Sequence, residues 1–70
     1  MYQELKRDIL RAMSKPRTVY DLKGIKVSRE DCQSLMTLCD LYEREGDIGN
    51  WRDAVTSTAI AEVLVKYKMW

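Results

Sequence analysis

The sequence contains no histidine, two cysteines and three glycines among its 70 residues. Two thiols without histidine cannot complete the usual four-ligand zinc site, and histidine is also the side chain most often used for general acid–base catalysis. Three scattered glycines do not form a phosphate-cradling loop, and no nucleophile has a recognisable base beside it. We therefore expect no enzyme, no metal, no cofactor and no small-molecule substrate.

Long apolar runs are also missing. No stretch approaches the roughly 20 apolar residues of a membrane-spanning helix, and no signal peptide is evident. Cys32 and Cys39 lie in one helical pattern, and their spacing separates them by about 10.5 Å along the helix axis. A disulfide requires Cα atoms within about 7 Å. We therefore expect two reduced core thiols in a cytoplasmic protein that has no membrane partner.

The chain has little net charge, +1, but its charges are unevenly distributed. Residues 1–29 carry eight Lys or Arg and three Asp or Glu, whereas residues 30–62 carry two and eight. This asymmetry indicates a face for an anionic partner, complementary faces for self-association, or simply a mixed surface. A chain this short forms one domain, residues 1–70, whose core rarely contributes more than roughly 3–5 kcal/mol.

Helix start and stop signals predict a compact, mainly α domain of three to four helices. At three places a polar residue is followed by Asp three positions later, a pattern related to the capping box at helix starts. These pairs are Thr18–Asp21, Ser28–Asp31 and Asn50–Asp53. Residues that end helices occur at Pro16, Gly24 and Gly46. These signals predict helices over about residues 2–14, 19–23 and 29–45, with Ile25 and Val27 holding the turn between the last two.

The C-terminal segment has two interpretations. From Trp51, the positions of Val55, Ala59, Ile60 and Val63 fit a fourth helix, although the Thr-Ser-Thr run at 56–58 is weakly helical. From Val63 onward, apolar residues also alternate as in a strand. Helix is favoured because no second strand of comparable strength is present to pair with it.

The central part of the chain resembles a helix-turn-helix of the winged-helix kind, over about residues 5–48. The resemblance lies in Thr18-Val-Tyr-Asp-Leu22, then Val27-Ser28-Arg29-Glu30, then Leu35, Leu38 and the Tyr42-Glu-Arg-Glu-Gly46-Asp-Ile48 end. It implies a small DNA-binding or transcription-regulatory protein, acting as a dimer, whose third helix enters the major groove of double-stranded DNA.

The resemblance also implies which residues contact DNA. Arg29, Gln33 and Thr37, with Ser34 at their margin, would face base edges, where Arg can bond guanine and Gln can bond adenine. Phosphate contacts are expected on the flanking turns from Lys15, Arg17, Lys23 and Lys26. Glu30 lies among the base-contacting residues and opposes this arrangement electrostatically.

A protein-interaction module is the alternative. The tail is richer in apolar and aromatic residues than a free terminus requires, and Tyr67, Met69 and Trp70 would anchor it. Such a tail would pack against a second copy or enter a partner's groove, as in a small phage-type inhibitor or adaptor that binds a protein target and not DNA. The third possibility is that Trp70 closes the chain's own core.

Overall fold

A helix, a β-hairpin and two further helices make up the part of the chain that the structure describes. The computed structural model describes residues 2–46, residue 55 and residues 57–69. The elements are α1 (Tyr2–Ala12), β1 (Val19–Leu22), β2 (Ile25–Ser28), α2 (Arg29–Glu45) and α3 (Thr58–Lys66). The mainly helical class is confirmed, with three helices in these ranges. None of them combines the length and apolar character needed to cross a bilayer.

Helices α1 and α2 form where the sequence predicts them. In α1, Leu5 and Ile9 lie one turn apart and are both fully buried. Helix α2 begins after Ser28, whose Oγ accepts a hydrogen bond from the Asp31 amide at 3.1 Å. It ends at Gly46, which has a φ of 76° and donates its N–H to the Tyr42 carbonyl at 2.8 Å. Both end signals therefore act as the sequence predicts.

The helix predicted over residues 19–23 is wrong, because residues 19–28 form an antiparallel hairpin. The two strands pair from Val19 opposite Ser28 to Leu22 opposite Ile25. The helix-turn-helix unit predicted over residues 18–39 is therefore not formed: its second half is α2, but its first half is a sheet.

The hairpin has two physical causes. Side chains alternate between core and solvent along each strand, with Tyr20, Leu22 and Val27 buried, which matches the two-residue period of a strand. Lys23 and Gly24 have φ angles of 51° and 87°, the positive values that a two-residue type I′ turn requires. A five-residue helix, by contrast, would form about one turn of hydrogen bonds, which does not offset the unfavourable free energy of helix nucleation.

Helix α3 confirms the favoured helical interpretation of the C-terminal segment, but it starts later than predicted. Residue 55 is not helical, and α3 begins at Thr58 after the N-cap Ser57, whose Oγ accepts from the Ile60 amide at 3.2 Å. Ser57 and Thr58 thus form a helix start, consistent with the low helical propensity of Ser and Thr. The alternative strand from Val63 does not form. The cap predicted at Asn50–Asp53 lies outside the described residues.

One core joins all five elements. Helix α1 packs on α2 and β1, and α3 packs on β2 and α2. The buried side chains are Leu5, Ile9, Tyr20, Leu22, Val27, Cys32, Leu35, Leu38, Cys39, Ile60, Val63, Leu64 and Tyr67. The hairpin therefore covers one side of the core. It also brings residues 13–18, which precede it, close to the start of α2.

Candidate functional site

Five basic side chains meet on one side of the hairpin, and we call them the basic surface: Arg11, Lys15, Arg17, Lys26 and Arg29. One open depression is lined by the first four, together with Val19 and Asp21. The adjoining depression is lined by Arg17 and Arg29, together with Thr18 and Val19. Residues from α1, the following loop, β2 and α2 are thus brought to one face.

Most of the charge on the basic surface is not neutralised within the described chain. Lys26 pairs with Asp21 at 3.1 Å, but among the described residues no carboxylate lies within 4.0 Å of Arg11, Lys15, Arg17 or Arg29. Two hydrogen bonds hold the pKa of Asp21 below its usual value. The larger effect comes from the Gly24 amide at 2.9 Å, and the smaller comes from the Lys26 ammonium. Asp21 is therefore ionised at neutral pH and offsets about one of the five positive charges.

A buried tyrosine fixes the loop that carries Lys15 and Arg17. Tyr20 is 4% exposed, and its hydroxyl lies beneath this loop. The Tyr20 hydroxyl donates to the Lys15 carbonyl at 3.0 Å, and it accepts from the Arg17 amide at 3.1 Å. Because both hydrogen bonds are to the backbone, the Tyr20 side chain fixes the main chain at two basic residues, Lys15 and Arg17.

Tyr20→Phe is expected to lower the free energy of unfolding by about 1–2 kcal/mol, because the hydroxyl is lost and two backbone groups lose a partner. Amide hydrogen exchange at Arg17 should quicken more than at sites in α2. Urea unfolding and exchange on the same sample would check this. Exchange at Arg17 as slow as in the wild type would show that the hydroxyl does not hold the loop.

The α2 side chains predicted to face base edges are only partly arranged for that role. Arg29, Gln33 and Thr37 are exposed, and Gln33 lines a third depression with Arg29, continuous with the basic surface. Thr37 donates its hydroxyl to the Gln33 carbonyl, and Ser34, which is half-buried, donates to the Glu30 carbonyl. Glu30 is exposed in that same depression. Arg29 and Gln33 are therefore the polar groups best placed beside the basic surface.

Lys23 lies apart from the basic surface. Its ammonium is 2.8 Å from Glu4 Oε1 and 4.2 Å from the centre of the Tyr67 ring. The hydrogen bond from Lys23 holds the pKa of Glu4 below its usual value. This lysine therefore ties the hairpin turn to α1 and the C-terminal segment, and is not grouped with Lys15, Arg17 and Lys26.

The tail predicted as an interface is partly built into the core. Tyr67 is 3% exposed, and its hydroxyl donates to Asp8 Oδ2 at 2.6 Å, so its side chain packs within the described chain itself. Met69 is half-buried against the core, and Trp70 lies outside the described residues. Arg11 of the basic surface was not predicted, although it lies in the last turn of α1, four residues before Lys15.

The described ranges contain neither a cluster of three or more metal-ligating side chains nor an exposed thiol. No group of three or more His, Cys, Asp or Glu side chains there is placed to hold a metal ion. Cys32 and Cys39 are free and buried. Burial raises the pKa of the Cys32 thiol, and it raises the pKa of Cys39 to about 11. Both sulfurs are therefore protonated at neutral pH and behave as core side chains.

No family model, no curated protein and no solved structure matches this chain. The likeness to helix-turn-helix domains consequently has no support beyond the residues that suggested it.

Proposed function

We propose that this protein binds the sugar–phosphate backbone of double-stranded DNA through the basic surface. The observation that carries the proposal is the gathering of Arg11, Lys15, Arg17 and Arg29, which lack ion-pair partners among the described residues. By contrast, Lys6 and Lys23 are paired with carboxylates elsewhere. Unneutralised Arg and Lys on one face are what phosphate binding requires.

A duplex suits this surface better than a single strand. Proteins that hold single strands stack the bases on exposed aromatic rings. Among the described residues, the aromatic side chain that lines the basic surface is Tyr20, whose ring is buried and whose hydroxyl bonds the loop backbone. Phosphate contacts are therefore the main attraction available to these side chains, and they carry little sequence information.

Sequence preference would come from Arg29 and Gln33 at the margin. Both are exposed in one depression beside the first turn of α2, and their donors suit guanine and adenine edges. Glu30 lines the same depression and repels phosphate. We therefore propose that the protein binds mainly the DNA backbone and has a weak preference for particular bases. In this proposal α2 does not enter the major groove in the way that the helix-turn-helix resemblance implies.

Arg17→Ala is expected to weaken duplex binding about three- to tenfold at low salt, because Arg17 lines both depressions and would contact phosphate. Arg44→Ala removes the same charge from an exposed site in the last turn of α2 and should change affinity less than twofold. Fluorescence anisotropy with a labelled duplex of about 20 base pairs would measure both.

The sign of the effect at Glu30 provides an independent check. Glu30→Gln keeps the side-chain shape and removes the repulsion, so it should tighten binding. Equal losses for Arg17→Ala and Arg44→Ala would indicate nonspecific attraction to the whole molecule and contradict a localised site.

A further inference from the structure

Helix α3 has an apolar outer side that the described chain leaves open. Val65 is 59% exposed and lies with Ala61 and Ile25 in an open depression whose walls are almost entirely apolar. Thr58, Glu62 and Lys66 complete its lining. We call these six residues the α3 patch.

The spacing along α3 explains the patch. Residues 58, 61, 62 and 65 follow the three- and four-residue steps of one helix face. The opposite face buries Ile60, Val63 and Leu64 in the core. A surface helix normally covers its outer side with polar residues. Helix α3 carries only one acidic and one basic side chain, Glu62 and Lys66, and exposes Val65 between them.

The two charges on the patch favour a second copy of the chain as its occupant. Glu62 and Lys66 lie one helical turn apart, and neither forms an ion pair with any residue in the described ranges. If two α3 helices meet antiparallel about a twofold axis, each Glu62 comes opposite the other copy's Lys66. A twofold contact requires such a self-complementary surface. The patch has no net charge, so two copies do not repel each other there.

We propose that two copies of this chain associate through the α3 patch, with their α3 helices antiparallel and Val65 and Ala61 at the centre. The proposal does not depend on DNA binding, because the patch and the basic surface share no residue. A standard interface buries about 800 Å² on each partner. Six residues provide less, as in weak and transient complexes, so we expect a dissociation constant above about 1 µM.

Sedimentation velocity from about 10 µM to 1 mM tests this association. The wild type is expected to shift from monomer to dimer across that range. Val65→Asp should weaken dimerisation more than about tenfold, because an unpaired carboxylate would be buried between the copies. Leu10→Asp is the matched control: Leu10 is 57% exposed on α1, outside the patch, and its replacement should leave dimerisation unchanged.

Charge exchange tests the antiparallel arrangement without altering the apolar centre. Glu62→Lys and Lys66→Glu should each weaken the dimer, because like charges then face each other, and the double variant should restore it. A wild type that stays monomeric at 1 mM would overturn the proposal and leave the patch to another partner or to none. A dimer insensitive to Val65→Asp, or not restored by the double exchange, would likewise overturn it.

Discussion

Leu35→Ala is expected to leave much of the protein unfolded at 25 °C. Leu35 is fully buried near the middle of α2 and belongs to the core that joins all five elements. Truncating a buried leucine to alanine costs about 2–5 kcal/mol, from lost burial and from the cavity that remains. A domain of this size is typically stable by roughly 3–5 kcal/mol, so the loss is comparable to the whole.

Urea unfolding followed by circular dichroism would measure the effect of Leu35→Ala. Leu10→Ala is the same substitution at an exposed site in α1, and it should change the free energy of unfolding by less than about 0.5 kcal/mol. A Leu35→Ala protein as stable as the Leu10→Ala protein would show that the core is not organised around α2.

Alkaline pH is expected to destabilise the protein steeply above pH 9. Burial raises the pKa of Cys39 from 9.0 to about 11. Burial, assisted by the hydrogen bond to Asp8, also raises the pKa of Tyr67 above 10.0. In both cases the folded protein favours the neutral form, whereas the unfolded chain ionises at the ordinary pKa. Stability from these groups is thus complete below pH 9 and is lost as the pH rises towards the folded pKa values.

The size of the alkaline effect follows from proton linkage. Each pH unit between the unfolded and folded pKa costs up to about 1.4 kcal/mol per group. By pH 11, Cys39 and Tyr67 together should remove about 2–4 kcal/mol, which brings the unfolding midpoint close to that pH. Hydrogen bonds to Glu43 and Asp40 raise the pKa of Lys6, which acts in the same direction.

Urea titrations at pH 8, 10 and 11, in the presence of a reducing agent, would measure this loss. Tyr67→Phe removes the ionising hydroxyl, so its stability should fall less between pH 10 and 11 than that of the wild type. It should start about 1 kcal/mol lower at pH 8, where the hydrogen bond to Asp8 is missing. A free energy of unfolding that is constant from pH 8 to pH 11 would contradict the burial of both groups.

Local signals were sufficient for most helices. The periodic apolar positions of α1 and α2 and the end residues Ser28 and Gly46 act through contacts close in sequence. The hairpin was missed because Thr18 and Asp21 match a capping box. Instead, the Thr18 carbonyl accepts a hydrogen bond from the Arg29 amide at 3.0 Å, which extends the ladder between the strands. A strand ladder depends on a partner segment, which a cap signal does not describe.

The candidate surface was less predictable than the fold. Lys15, Arg17 and Arg29 were identified from the sequence, but their grouping depends on the hairpin, which returns the chain to the loop before it. Lys23 could not be separated from them, because its partner Glu4 lies in α1 and is brought close only by tertiary packing. The hydrogen bond of Tyr67 could not be predicted for the same reason, because its partner Asp8 is 59 positions away in the sequence.

The salt dependence of duplex affinity tests the proposed DNA binding most directly. Each neutralised phosphate contributes about −0.9 to the slope of log affinity against log salt. Arg11, Lys15, Arg17 and Arg29, which have no ion-pair partner in the described ranges, predict a slope of about −3.6 between about 50 and 200 mM salt. The Arg17→Ala, Arg29→Ala double variant predicts about −1.8. No binding at about 50 mM salt, or equal slopes for the two proteins, would contradict DNA binding by the basic surface.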